Sequence, residues 1–116
     1  MSKKKLTKEE RIKKEISRLN RIFKDLDKNK KAVVQSLIRN AAFMAITLDD
    51  LQEIINRESY AEEYRNGKDQ SGKKQSTELK THIAMTKNLG TIIKQLVDLC
   101  PPERRKESRL AALQRE

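Results

Sequence analysis

Apolar residues recur along this chain at helical spacing, and the spacing changes character four times. Ile12, Ile16, Leu19, Ile22, Phe23 and Leu26 fall three and four apart and predict an amphipathic helix to about Lys28. Thr7 and Glu10 ahead of them form a T-x-x-E capping box, in which hydroxyl and carboxylate each satisfy a free backbone N–H of the first turn. A break is expected at Asn29 or Lys30. Ala32, Val33, Val34, Leu37, Ile38 and the run from Ala41 to Ile46 then make a helix apolar nearly all round, which belongs in the middle of a fold. Thr47 with Asp50 offers another cap, and Leu48, Leu51, Ile54 and Ile55 predict a third, short helix to about Arg57, turning sharply from the second.

Residues 58–76 lose the pattern and read as a polar loop. Asn66-Gly67 is a turn signal because both residues tolerate positive φ, Gly72 adds a flexible point, and Tyr60 and Tyr64 are spaced to pin the loop's start onto the helices. Periodicity returns most strongly from Ser76 to Cys100. Ser76 is a good N-cap, Leu79, Ile83, Ile93 and Val97 keep register, and His82, Met85, Leu89, Ile92, Leu96 and Leu99 run beside them. Pro101-Pro102 ends the element, since proline has no N–H to give the previous turn. Such a helix is about 36 Å long. Its apolar flank widens toward the C-terminal end, more than one neighbour can cover, so other helices or other copies must pack there. The tail after Pro102 carries thin apolar content.

The reading is therefore an all-α single domain spanning 1–116. A basic N-terminal helix (1–31) leads into core helices (32–57), a polar loop (58–76), a long helix (77–100) packed on the shorter ones, and a basic tail (101–116). Composition agrees: glycine, proline and aromatics are few, and charged residues make up 38% of the chain against a usual quarter or so, which suits long solvated helical faces.

Charge changes the picture through its distribution. The formal net charge is +10; residues 1–31 hold 13 basic and 5 acidic groups, a net of +8, while residues 32–66 hold 3 and 6, a net of −3. On a helical wheel the first stripe leaves Lys14, Arg21, Lys24 and Lys28 centred opposite it, with Lys13 and Lys31 on one edge and Arg11 and Arg18 on the other. A cationic rail of this kind meets phosphates through counterion release, without reading sequence. Base reading would need groups such as Arg11, Arg18 or Arg21 on guanine or Asn20 on adenine. The candidate DNA contacts are Lys3, Lys4, Lys5, Lys8, Arg11, Lys13, Lys14, Arg18, Arg21, Lys24, Lys28 and Lys31, with Arg104, Arg105, Lys106 and Arg109 of the tail second. The helix after Thr47 bears Asp49, Asp50, Glu53 and Glu58 and is poor chemistry for sitting among phosphates.

Catalytic chemistry is not indicated. His82 has no acid or second histidine at ligand spacing, Cys100 lies in an apolar stretch without a histidine-bearing motif, and no phosphate-cradling G-x-x-x-x-G-K-[ST] is present. No metal or cofactor is expected. The lone cysteine excludes an intramolecular disulfide and fits a reducing compartment. No apolar run approaches the roughly 20 residues needed to span a bilayer, and MSKKKLTKEE has no signal-peptide core, so a soluble intracellular protein is expected.

The segments RNAAFMAITLDDLQEIIN (Arg39 to Asn56), YAEEYRNGKDQSGKKQS (Tyr60 to Ser76) and KNLGTIIKQLVDLCPPE (Lys87 to Glu103), led in by RIKKEISRLNRIFKDLDKNK (Arg11 to Lys30), resemble the short helical small subunits of tailed-phage terminases, especially those of phages and prophages of Gram-positive hosts. That resemblance implies a non-enzymatic packaging component in the bacterial host's cytoplasm. It would bind double-stranded DNA near the packaging start, assemble as a ring, and regulate a terminase large subunit that holds the ATPase and nuclease. The apolar residues expected at the contact between copies are Ile38, Phe43, Leu51, Ile55, Leu89, Ile92, Ile93, Leu96 and Leu99. The tail could instead dock on the large subunit. Competing readings are a small basic helical protein that coats nucleic acid without packaging, and a helical adaptor whose lysines serve solubility.

Overall fold

In the computed structural model every regular element among the described residues is helical. The structure describes residues 6–24, 26, 28–66 and 76–114, and for 28 and 59–66 the backbone alone. Helix α1 runs Lys8–Ile22, α2 Lys31–Asn66, α3 Thr77–Asp98 and α4 Arg105–Leu113, with single 3₁₀ turns at Lys28–Lys30 and Pro102–Arg104.

The capping box forms as the sequence requires. The Thr7 N–H donates to Glu10 Oε1 at 2.9 Å, and the Glu10 N–H donates to Thr7 Oγ1 at 3.1 Å. Ser76 Oγ likewise accepts from the Leu79 N–H at 3.0 Å and opens α3. Helix α1 stops at Ile22, short of the expected Lys28; Phe23 is its C-cap and turns into the core.

The largest departure from expectation is α2. The break at Thr47 is absent, and one helix of 36 residues, about 54 Å long, replaces two short ones and the start of the polar loop. Neither glycine nor proline occurs from Lys31 to Asn66, so nothing forces an end, and a cap residue alone does not terminate a helix. Thr47 Oγ1 makes no cap bond; it is buried and lacks a hydrogen-bond partner. Asn66, expected to open a turn, is the last residue of α2, and Gly67, Gly72 and the side chains of Tyr60 and Tyr64 lie outside what the structure describes.

Helices α1 and α2 lie antiparallel: Asn20 Oδ1 accepts from Gln35 Nε2 at 2.8 Å near their junction, and Arg11 pairs with Asp50 at 2.8 Å at the other end. Helix α3 returns along α2, so Ile93, Leu96, Val97 and Cys100 meet Val34, Ile38, Ala41 and Ala42 in one core with Leu19, Phe23 and Ala112. The crowded end of α3 is thus covered largely from within the protomer, by α2 and α4, in a core that also takes in Leu19 and Phe23. α2 is not apolar all round in use: Val33 and Phe43 are exposed.

Over 47–58 of α2 and 77–92 of α3 no residue is buried. These halves form a two-helix arm, in which Leu48, Leu51, Ile54 and Ile55 of α2 and Leu79, Met85 and Leu89 of α3 are half-buried, because two helices cannot enclose a seam. The molecule measures 57 × 39 × 22 Å, and its radius of gyration of 17.7 Å exceeds the roughly 13 Å of a compact chain this long.

Candidate nucleic-acid interface

Helix α1 buries one arc and leaves the other to solvent. Leu19 and Glu15 are buried, and Ile12, Ile16 and Ile22 pack partly against the core. Lys13, Lys14, Arg21 and Lys24 are exposed, and none of them enters an ion pair among the described residues. Lys13 to Arg21 span about 12 Å of helix at 1.5 Å per residue, and Lys24 follows just past the C-cap. Lys31 continues the positive surface onto α2, and with Lys24 it flanks a shallow groove of about 520 Å³ floored by Phe23, Leu26 and Val34. Lys8 is exposed, its Nζ 4.9 Å from the centroid of the Phe43 ring, a cation–π contact that shades a half-exposed aromatic.

The two arginines on the other edge of the wheel are engaged inside the protomer. Arg11 Nη1 donates to Asp50 Oδ1 at 2.8 Å. Arg18 is bound more completely. Its Nε and Nη2 donate to the two carboxylate oxygens of Glu15 at 3.1 and 2.8 Å, and its Nη1 and Nη2 donate to the carbonyls of Ala111, Gln114 and Ala112 at 3.0, 3.4 and 3.0 Å. Five guanidinium donors meet five acceptors, so Arg18 closes the carbonyl end of α4, where a cation is favoured by the helix dipole. The wheel carried one signal of this: Glu15, a carboxylate, sits among Ile12, Leu19 and Ile22 on the apolar arc, three residues before Arg18. A buried acid there requires a cation.

The tail divides the same way. Arg105 donates from Nε to the Cys100 carbonyl at 3.1 Å and from Nη2 to the Asp98 carbonyl at 3.2 Å, closing the end of α3. Arg104 is half-buried with a partner of its own, whereas Lys106 and Arg109 are exposed. Asn20, considered for base reading, has its Oδ1 engaged by Gln35. Lys3, Lys4 and Lys5 lie outside the described residues, and for Lys28 only the backbone is described.

The apolar residues expected at a contact between copies split by position. Ile38, Ile93 and Leu96 are closed inside the protomer's own core, and Leu89, Ile92 and Leu99 pack partly against it. Leu51 and Ile55 are half-buried on the arm, and Phe43, just before it on α2, is exposed at 47%; Ile83 of the arm, not among the expected contacts, is also exposed.

No group of three or more His, Cys, Asp or Glu side chains among the described residues is placed to hold a metal ion, and no described helix is long and apolar enough to cross a membrane. His82 is half-buried on the arm and Cys100 is a buried thiol. Compared with known proteins, the chain matches no family model, no curated protein and no solved structure.

Proposed function

We propose that the chain is a terminase small subunit: a non-enzymatic protein that assembles through its helices, grips double-stranded DNA near a packaging start in the bacterial host's cytoplasm, and regulates a large ATPase–nuclease subunit. The observation that carries DNA binding is the exposed arc of α1. Lys13, Lys14 and Arg21 line it and Lys24 follows just past the C-cap; among the described residues Glu10 is the one acidic side chain on the same arc, and no ion pair neutralises these cations. Free cations on one rigid face release counterions from a duplex without reading its sequence. Arg11, Arg18 and Arg105 are withdrawn from the direct contacts, and Lys31, Lys106 and Arg109 supply the outlying ones.

Assembly is supported by the arm, whose seam of Leu48, Leu51, Ile54, Ile55, Leu79, Met85 and Leu89 stays half-open and whose Ile83 faces outward. A second copy laid along it removes that surface from water, at about 25 cal/mol per Å² of apolar area. A ring follows if the contact is head-to-tail and its rotation closes. The packaging role and the large subunit as partner rest on the resemblance of the segments between Arg11 and Glu103.

The test separates the two halves. Replacing Lys14, Arg21, Lys24 and Lys28 together by Glu abolishes duplex binding in fluorescence anisotropy and leaves the assembly's mass in light scattering unchanged. Retained binding would move the interface off α1.

A further inference from the structure

Helix α4 is held at its two ends by two different arginines. At its N-terminal end Arg105 ties the chain back to the Cys100 and Asp98 carbonyls of α3; at its C-terminal end Arg18 of α1 reaches three of its carbonyls from 93 or more residues away. Between these points apolar attachment is slight. The residues α4 buries are Ser108 and Ala112, and its two leucines point outward, Leu110 at 50% and Leu113 at 59% exposure. A nine-residue helix is marginal without tertiary support, so the guanidinium is the main hold on its free end.

Arg18 also stands at a boundary. Lys14, Arg18 and Arg21 fall at i, i+4 and i+7 on α1, one row of the helix surface, and the outer two are exposed members of the cationic arc. We propose that α4 is a latch. While it is docked, Arg18 is sequestered; when it lifts about the Arg105 end, three Arg18 donors are freed into the Lys14–Arg21 row while Glu15 keeps the other two and holds the side chain in place. Docking of α4 and binding of a polyanion along α1 then oppose one another. A state that must open before it binds lowers the apparent affinity by the fraction open, and a ligand that prefers the open state raises that fraction. The opposition rests on the DNA-binding reading of α1; the latch itself does not.

Amide hydrogen exchange by mass spectrometry reads both on the full chain. In Arg18→Ala, amides of 105–114 exchange at least tenfold faster than in the unmodified protein, well beyond any acceleration at 34–46, where the loss of Glu15's cation acts through the fold as a whole. Arg18→Lys behaves alike, because one ammonium cannot replace a five-donor fork. Equal protection of α4 in these variants, or equal acceleration of both segments, overturns the latch. A short duplex at low salt accelerates exchange of 105–114 severalfold in the unmodified protein, and Arg18→Lys, with the cover off and the charge kept, binds that duplex several times more tightly than the unmodified protein. Binding without release of α4, or weaker binding by Arg18→Lys, overturns the opposition. A protein that ignores the duplex removes both the opposition and the function proposed above, and the exchange of the two variants still decides the latch.

Discussion

Gly90 lies in the interior of α3, exposed, on a helix that is otherwise well formed. Glycine there costs the helix about 0.8–1.0 kcal/mol relative to alanine, because its unfolded backbone has more freedom to lose. A methyl group built on its Cα meets no atom within 4 Å, so nothing in the protomer opposes the gain. Gly90→Ala should therefore stabilise the protomer by most of that amount. With an unfolding entropy near 2.1 cal/mol/K per residue over 116 residues, the melting temperature rises about 3–4 °C. The assay is denaturant and thermal unfolding followed by circular dichroism, at matched low protein concentration because assembly shifts apparent stability by mass action. A loss of stability in the dissociated protein would refute the open environment assigned to this face of α3. Light scattering on the same variant asks a second question: a smaller assembly from a more stable protomer would mean that a neighbouring copy's backbone lies against Gly90.

The core should respond in the opposite sense. Leu96 is fully buried between α3 and the other helices, and Leu96→Ala should cost about 2–5 kcal/mol in urea unfolding, with a cost under about 1 kcal/mol contradicting its place in the core. Thr47→Val removes a buried hydroxyl that has no partner while keeping the side-chain shape; an unsatisfied group of this kind costs roughly 1–3 kcal/mol, so the variant should be more stable, and a destabilised one would mean that the hydroxyl is satisfied.

Local signals in the sequence proved readable where the physics is local. The Thr7–Glu10 box and the Ser76 cap each involve backbone groups within one turn, and both helices start where those residues place them. The end of α3 before Pro101-Pro102 was equally legible, since proline's missing N–H acts on its own neighbours. Thr47 is no boundary because a residue able to cap is also tolerated within a helix when packing continues across it, and Leu48, Leu51, Ile54 and Ile55 carry the run from Ala41 to Ile46 onward at half burial. The candidate interface was legible in outline only. Wheel position separated Lys14, Arg21 and Lys24 from the apolar arc, and all three are exposed. It could not show that Arg11 finds Asp50, or that Arg18 closes a helix whose sequence lies more than 90 positions away, because those partners are set by tertiary packing. Glu15 is the clue the sequence holds, an acid on an apolar arc that requires a cation.

On the proposed reading the open arm joins copies while α1 keeps a free positive face for a duplex. Sedimentation velocity at low ionic strength, with and without a short labelled duplex, measures both at once. The account predicts a species several times the 13.5 kDa protomer mass that carries the duplex with it and releases it as salt rises. A single 13.5 kDa boundary that leaves the duplex sedimenting alone would contradict it.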